Sequence, residues 1–187
     1  MGDIKKLRKK YTPPRHPWQG PRILAEKILV KEYGLKNKTE IYRAQFLLRS
    51  FTKQAKNLTT NKTLQGEKEK KQLFSKLAKI SLLNENAELE QVLGLNLNQI
   101  FERRLQTLVY KKGLAKSVIQ ARQFIVHGHI LVSGQKINVP SYLVKNNEES
   151  HIEFVKDSSL SNPEHPERMV KEKVELKKEI NENTNDE

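Results

Sequence analysis

Between Glu102 and Tyr142 the chain reads ERRLQTLVYKKGLAKSVIQARQFIVHGHILVSGQKINVPSY, and after Glu102 this stretch holds no acid. Its polar positions are rich in hydrogen-bond donors, a set suited to gripping an anion. The sharpest spacing is Ser117-x-x-Gln120. It predicts a capping box, in which the serine hydroxyl accepts a helix N–H and the glutamine side chain reaches back. A helix N-terminus carries partial positive charge, and Lys116 and Arg122 lie beside this one, so the group forms an anion site suited to phosphate. Arg122, Gln123 and His127 alternate around the outer side of the same helix. His127 and His129, at i and i+2 with no third ligand nearby, make a poor metal site and suit structural caps instead. Patterns that carry catalysis are missing: no P-loop glycine–lysine run, no H-E-x-x-H, no C-x-x-C. The chain has no cysteine, which excludes disulfides, thiolate metal sites and Cys nucleophiles and fits a reducing cytosol.

These residues need a scaffold, and the hydrophobic pattern supplies one. A first helix is expected over about 98–112, burying Phe101, Leu105, Leu108 and Val109. Arg103 and Gln106 point away from that face, and Arg104 lies close to it with a buried stem. Gly113 ends the helix, and Leu114-Ala115 allow only a sharp αα-corner. Ser117 opens the second helix, which packs Val118, Ala121 and Ile125 inward with Phe124 at the edge, and Gly128 ends it. A hairpin follows over 129–139, with Ser133-Gly134-Gln135 as a three-residue connection; Pro140 stops its second strand, and 151–155 reads as a last strand closing a small sheet. Two helices and a turn would also suit a DNA reader. Here a hairpin follows the second helix directly and no dimer seam is visible, which favours RNA recognised by shape and phosphate.

The rest of the chain extends the same chemistry. Its 187 residues carry a net charge of +13: residues 1–60 hold 15 Lys+Arg against 4 acids, and residues 161–187 hold 5 against 8. A basic arm beside a basic face is the electrostatic footprint of a nucleic-acid binder; the alternative is a merely soluble basic surface. Residues 1–22 read as an extended arm, with Lys5, Lys6, Arg8, Lys9, Lys10, Arg15, His16 and Arg22 interleaved with Trp18 and four prolines. Such an arm orders along phosphates with Trp18 stacking, or stays loose with Trp18 as a local anchor. A helix is expected over 23–33, with Ile23, Ile28 or Lys27, and Val30 on one face. A second is expected over 39–58, capped by Thr39, with the apolar stripe Ile41, Ala44, Leu48, Phe51 and Ala55. Arg43, Arg49, Lys53 and Lys56 lie away from that stripe, on a face that is either solvated or turned to phosphate. Residues 59–71 are a loop or helix start, and 70–83 form an amphipathic helix. Hydrophobic residues make up 36% of the chain, enough for modest cores with some extended chain. No apolar run of membrane-spanning length occurs, and the N-terminus lacks the apolar region of a secretory signal.

Several of these segments resemble one family. ERRLQT, GLAKS, QARQFIVHGHI, VSGQKINVPSY and the pair Glu148-Glu149 look like the small-subunit ribosomal protein S-four family. Pro14-Arg15-His16-Pro17-Trp18 and the segment from Tyr33 to Glu40 look like its archaeal and eukaryotic branch. The resemblance runs from about Lys5 to about Val155, with several motifs in order. It implies a primary binder of small-subunit ribosomal RNA that nucleates assembly of the subunit body. It also implies a place beside the channel through which mRNA enters, an influence on decoding accuracy, and neighbours that include the small-subunit protein five family. Carried over by position, the module's RNA contacts fall on Arg103, Arg104, Lys116, Ser117, Gln120, Arg122, Gln123, His127, His129, Asn138, Ser141 and Tyr142. Where related chains tend to carry arginine, this one has Lys53-Gln-Ala-Lys56, which keeps charge but loses the bidentate fork. The zinc-binding cysteines of some bacterial members are absent, so no metal role carries over.

The expected fold class is α+β. An extended basic arm (1–22) and a small all-α domain (23–96) precede an α-turn-α plus β-hairpin RNA-binding module with a small antiparallel sheet (97–157). A charged, mobile tail (158–187) follows, with some of it helical between 167 and 180. The expected function is a non-enzymatic constituent of the cytoplasmic small ribosomal subunit, with no cofactor, metal, membrane contact or homo-oligomer. A free RNA chaperone or ribosome quality-control factor with the same module is the alternative. An RNA-modifying enzyme is disfavoured because the hundred or so residues outside the module read as basic helices without catalytic features.

Overall fold

A computed structural model of the chain describes residues 9–61, 63–84, 87–162 and 165–167. Lys5, Lys6 and Arg8, and nearly all of the expected tail helix, lie outside the described residues. The chain forms two compact units, divided between Arg103 and Arg104. The architecture is α+β, as the sequence predicts, with helices throughout and one three-stranded antiparallel sheet.

The first unit is helical. Residues 9–19 have no regular secondary structure, but Gly20–Glu32 forms helix α1, earlier than expected. Pro21 does not forbid this start, because a proline in the first turn loses only an N–H that has no helical partner. Arg22 therefore belongs to the helix and not to the arm. Its guanidinium donates to Pro17 O at 2.8 Å and pairs with Glu26 at 3.3 Å. Glu26 is only 3% exposed and also pairs with Lys38 at 3.0 Å, so a buried carboxylate sits on the inner side of α1 between two cations. The expected inner residue Ile28 is exposed instead. Pro21, Leu24, Ala25 and Ile28 share the outward face at i, i+3, i+4 and i+7.

Lys38–Thr60 forms α2, with Asn37 and not Thr39 at its N-cap. The predicted stripe faces inward: Ile41, Phe51 and Ala55 are fully buried, and Ala44 and Leu48 pack beside them. Leu64–Lys79 forms α3, so the helix start is the alternative realised within 59–71. Thr63 caps it by accepting from Gly66 N–H at 3.1 Å. Leu89–Leu93 (α4) and Leu97–Glu102 (α5) complete the unit. Two small cores result. One joins Phe51, Leu73, Phe74, Leu77 and Val92; the other joins Tyr33, Leu35, Ile41 and Phe101.

The second unit holds the central stretch. The helix expected over 98–112 is two helices: α5 ends at Arg103, Arg104 is extended, and Leu105–Lys111 forms α6. The break sends Phe101 to a core of the first unit and Leu105, Leu108 and Val109 to the core of the second. It also places the unit boundary a few residues after the expected division at 96/97. Val118–Val126 forms α7, in which Phe124 is a core residue and not an edge one. Strands Ile130–Val132 (β1) and Gln135–Lys136 (β2) make the hairpin, and after the short helix Asn146–Glu149 (α8), Ile152–Phe154 (β3) pairs with β1 on its other edge. The hairpin connection is two residues, Ser133-Gly134, since Gln135 pairs with Val132. Both have positive φ, +49° and +78°, as a type I′ turn requires to match the strand twist.

Gly66 makes a stability prediction of unusual sign. In an exposed helix, Gly→Ala gains up to about 1 kcal/mol. A Cβ on Gly66 would lie 2.8 Å from the backbone oxygen of Asn61, which cannot move without disturbing the end of α2. Gly66→Ala should therefore lower the thermal midpoint, whereas Gln65→Ala in the same turn leaves it nearly unchanged.

Candidate nucleic-acid interface

The anion site forms at the start of α7. Ser117 is extended, and its Oγ accepts from Gln120 N–H at 3.1 Å. Gln120 returns the bond one residue earlier than a standard capping box: its Oε1 accepts from Lys116 N–H at 2.8 Å, not from Ser117. That bond orients the amide, leaving Nε2 outward as a donor beside the Lys116 ammonium. The carboxylate of Glu167 takes that donor at 2.7 Å and lies 3.5 Å from Lys116 Nζ.

Gln106 positions the next cation. Expected to point outward, it is 1% exposed. Its Nε2 donates to Val118 O at 3.0 Å, and its Oε1 accepts from Arg122 Nη1 at 3.4 Å. One buried amide thus ties α6 to the first turn of α7 and holds Arg122, which is half-buried. Gln123 and His127 are exposed beyond it. Arg104, carried over as a contact, is buried; its backbone bridges Leu143, and Arg103 is half-buried next to it. His129 is half-buried, its Nδ1 2.9 Å from Ser158 Oγ and its ring edge-on to Phe124. It anchors the 3₁₀ turn Ser159–Ser161 and not, as expected, the helix or hairpin end; with Leu160 of that turn in the core, 158–161 belongs to the second unit and not to a mobile tail.

After the hairpin, Asn138 and Ser141 are exposed. Tyr142 donates its hydroxyl to Glu148 Oε2 at 2.8 Å. Burial, then that bond, pushes the Tyr142 hydroxyl above its ordinary pKa. At Glu148, burial works to raise the pKa. Hydrogen bonds from the Lys145 ammonium (2.9 Å), Tyr142 and Lys145 N–H (3.2 Å) together outweigh it and hold the carboxyl below its usual range. Sequence reasoning noted Glu148 only as half of an acidic pair; the readable signals for its role were Lys145 and Tyr142, three and six residues before it.

In the first unit the cations form a row. Arg43, Phe46, Arg49, Lys53 and Lys56 recur at three- and four-residue spacing on the side of α2 opposite the buried stripe, and all five are exposed. Phe46 was not singled out in the sequence, although its place between Arg43 and Arg49 on the helical wheel was readable. An exposed aromatic among cations suits stacking on an unpaired base. Of the arm, Lys9, Lys10, Arg15 and His16 are exposed, and Trp18 is 91% exposed. Trp18 does not act as a local anchor on these residues. Tyr11 does, its ring 6.5 Å from that of Tyr42. Among the described residues there is no cluster of His, Cys, Asp and Glu able to hold a metal ion.

The α-turn-α plus hairpin, with its capped anion site, defines an S4-domain protein, and the S4 domain matches residues 103–150. The similarity extends well beyond that module. The chain is 49% identical to the small ribosomal subunit protein uS4 of Nanoarchaeum equitans, over 92% of this chain and 97% of that one. It is 53% identical to the uS4 of Methanococcus aeolicus, over 90% and 96%, and 49% identical to that of a Methanococcus maripaludis strain, over 90% and 95%. The chain belongs to the small ribosomal subunit protein uS4 family.

The Glu148 network gives a pH prediction. Its folded pKa is lowered, so its stabilisation is present above the ordinary value of 4.5 and is lost as pH falls through the folded value. Glu148→Gln should cost on the order of 1 kcal/mol at neutral pH. The difference in urea midpoint from the parent should shrink towards pH 3.

Proposed function

We propose that the protein is a structural constituent of the small ribosomal subunit and that both of its units bind small-subunit ribosomal RNA. The single observation that carries this reading is the row Arg43, Phe46, Arg49, Lys53 and Lys56. It opposes a buried stripe with no acid among its members and adds a second basic surface to the capped anion site of the S4 domain. A protein that used the module alone would gain nothing from that row. Family membership supports the ribosomal role, and the relatives are named as proteins of the small subunit. No helix of the described residues is long and apolar enough to cross a membrane.

In this reading Lys116, Ser117, Gln120 and Arg122 hold phosphates at the start of α7, with Gln123, His127, Asn138 and Ser141 extending the contact. The row on α2 lies along a second stretch of backbone. The arm, with Lys9, Lys10, Arg15, His16 and Trp18, and Lys5, Lys6 and Arg8 before it, threads between RNA strands. Arg104, His129 and the Tyr142 hydroxyl support the site from within the fold. Arg22 supports α1 through Glu26. The protein binds RNA early and nucleates assembly of the subunit body. It lies beside the channel where mRNA enters, next to proteins that include the small-subunit protein five family, and influences decoding accuracy from there. Its role is structural and not catalytic, and its place is the cytoplasmic ribosome.

Phosphate neutralisation dominates such binding. With ~6–10 phosphates contacted, affinity for a small-subunit rRNA fragment should fall by ~10³–10⁵ between 50 and 200 mM salt. Arg122→Ala and Lys53→Ala should each lower the slope of log K against log salt by about one. A slope unchanged in both variants, or an affinity independent of salt, would overturn the proposal.

A further inference from the structure

We propose that Glu167 covers the Lys116–Gln120 site in the RNA-free protein, so that a phosphate must displace a carboxylate of the chain's own C-terminal segment to bind there. This rests on the reading of that site as phosphate-binding, and it adds a built-in competitor.

The occupant is on the page. Glu167 Oε2 accepts from Gln120 Nε2 at 2.7 Å and stands 3.5 Å from Lys116 Nζ. Gln120 has no freedom to offer its other amide atom, because Oε1 is spent on Lys116 N–H at 2.8 Å. The outward pair is therefore a side-chain donor and a cation, a cradle suited to an acceptor with negative charge. Glu167 reaches it from 47 residues along the chain, so the contact is not a by-product of helix spacing. Its own N–H donates to His165 Nδ1 at 3.2 Å, which fixes the backbone from which the carboxylate reaches back.

Exposure makes the contact displaceable. The Glu167 side chain is 53% exposed and that of Lys116 30%. Ion pairs in such positions are weak and screened by salt. A phosphate group brings at least equal charge, more acceptor oxygens and the release of counterions from the RNA. The segment is suited to compete rather than to win: residues 161–187 carry 8 acids against 5 Lys+Arg, in a chain whose net charge is +13. The contact thus lowers affinity for RNA at this site while leaving the site intact.

The test is equilibrium binding of the full-length protein to a small-subunit rRNA fragment at low salt. Glu167→Gln should tighten binding by about two- to fivefold, the range expected for loss of one exposed ion pair. The gain should fade as salt is raised, and should vanish in a Lys116→Ala background. Glu172→Gln removes the same charge from the segment and should have a clearly smaller effect. If Lys116→Ala alone weakens binding but Glu167→Gln does not tighten it, the covering contact is overturned and the phosphate site stands. If Lys116→Ala has no effect, the reading of the site fails. Equal gains from Glu167→Gln and Glu172→Gln would overturn the specific contact in favour of a general charge effect.

Discussion

The second unit depends on a backbone pairing. Arg104 leaves helical geometry and bridges Leu143, and the first N–H of α6, that of Leu105, donates to Tyr142 O at 2.8 Å. The start of a helix must find partners for its free N–H groups, and α6 takes them from the segment that follows the hairpin. That choice fixes residues 140–143 beside α6 and brings Tyr142 within reach of Glu148. It also turns Gln106 inward, where its amide carries the order on to Val118 and Arg122. The anion site at the start of α7 is therefore positioned by the helix break at Arg104, through Gln106, sixteen residues before Arg122.

Electrostatics and packing divide the labour. The core of the second unit, from Leu105 through Ile125 and Ile130 to Phe154, is a hydrophobic cluster, and the buried Arg104 stands at the residue before it. Its cations either stand at the rim or are held by hydrogen bonds, as Arg122 is by Gln106. In the first unit α2 separates the two roles around its circumference, with Phe51 and Ala55 inward and Lys53 and Lys56 outward. Among the described residues of that unit, the buried Glu26 between Arg22 and Lys38 is the exception. A buried carboxylate is tolerated only with its partners in place, which makes the link between α1 and the start of α2 sensitive to loss of either cation.

Much of this was legible in the residues. The stripe of α2, the α-turn-α unit, the cap at Ser117 and the third strand follow from periodicity and capping chemistry, and the structure has them. What was not legible depends on competition between local and distant partners. The spacing from Phe101 to Val109 is helical throughout, and nothing local shows that Tyr142 and Leu143 will draw Arg104 out of it. Gln106 sits on the polar side of a wheel drawn for one long helix, yet faces inward once the helix is two. Ile28 fits an inner stripe by hydrophobicity, but the ion pairs of Glu26 decide which side of α1 turns in. Ser133-Gly134-Gln135 suits a three-residue connection by its glycine, but Ser133 takes a left-handed conformation uncommon for serine, and Gln135 pairs with Val132. The contact from Glu167 to Gln120 spans far too much sequence for any local pattern to signal it.

The central claim, that both units grip RNA, is tested most directly by lysine acetylation of the free protein and of its complex with small-subunit rRNA, read residue by residue by mass spectrometry. The account predicts joint protection of Lys53, Lys56 and Lys116 in the complex, with Lys79 at the end of α3 as reactive as before. Protection of Lys116 with Lys53 and Lys56 unchanged would contradict it and reduce the protein to a single RNA-binding module.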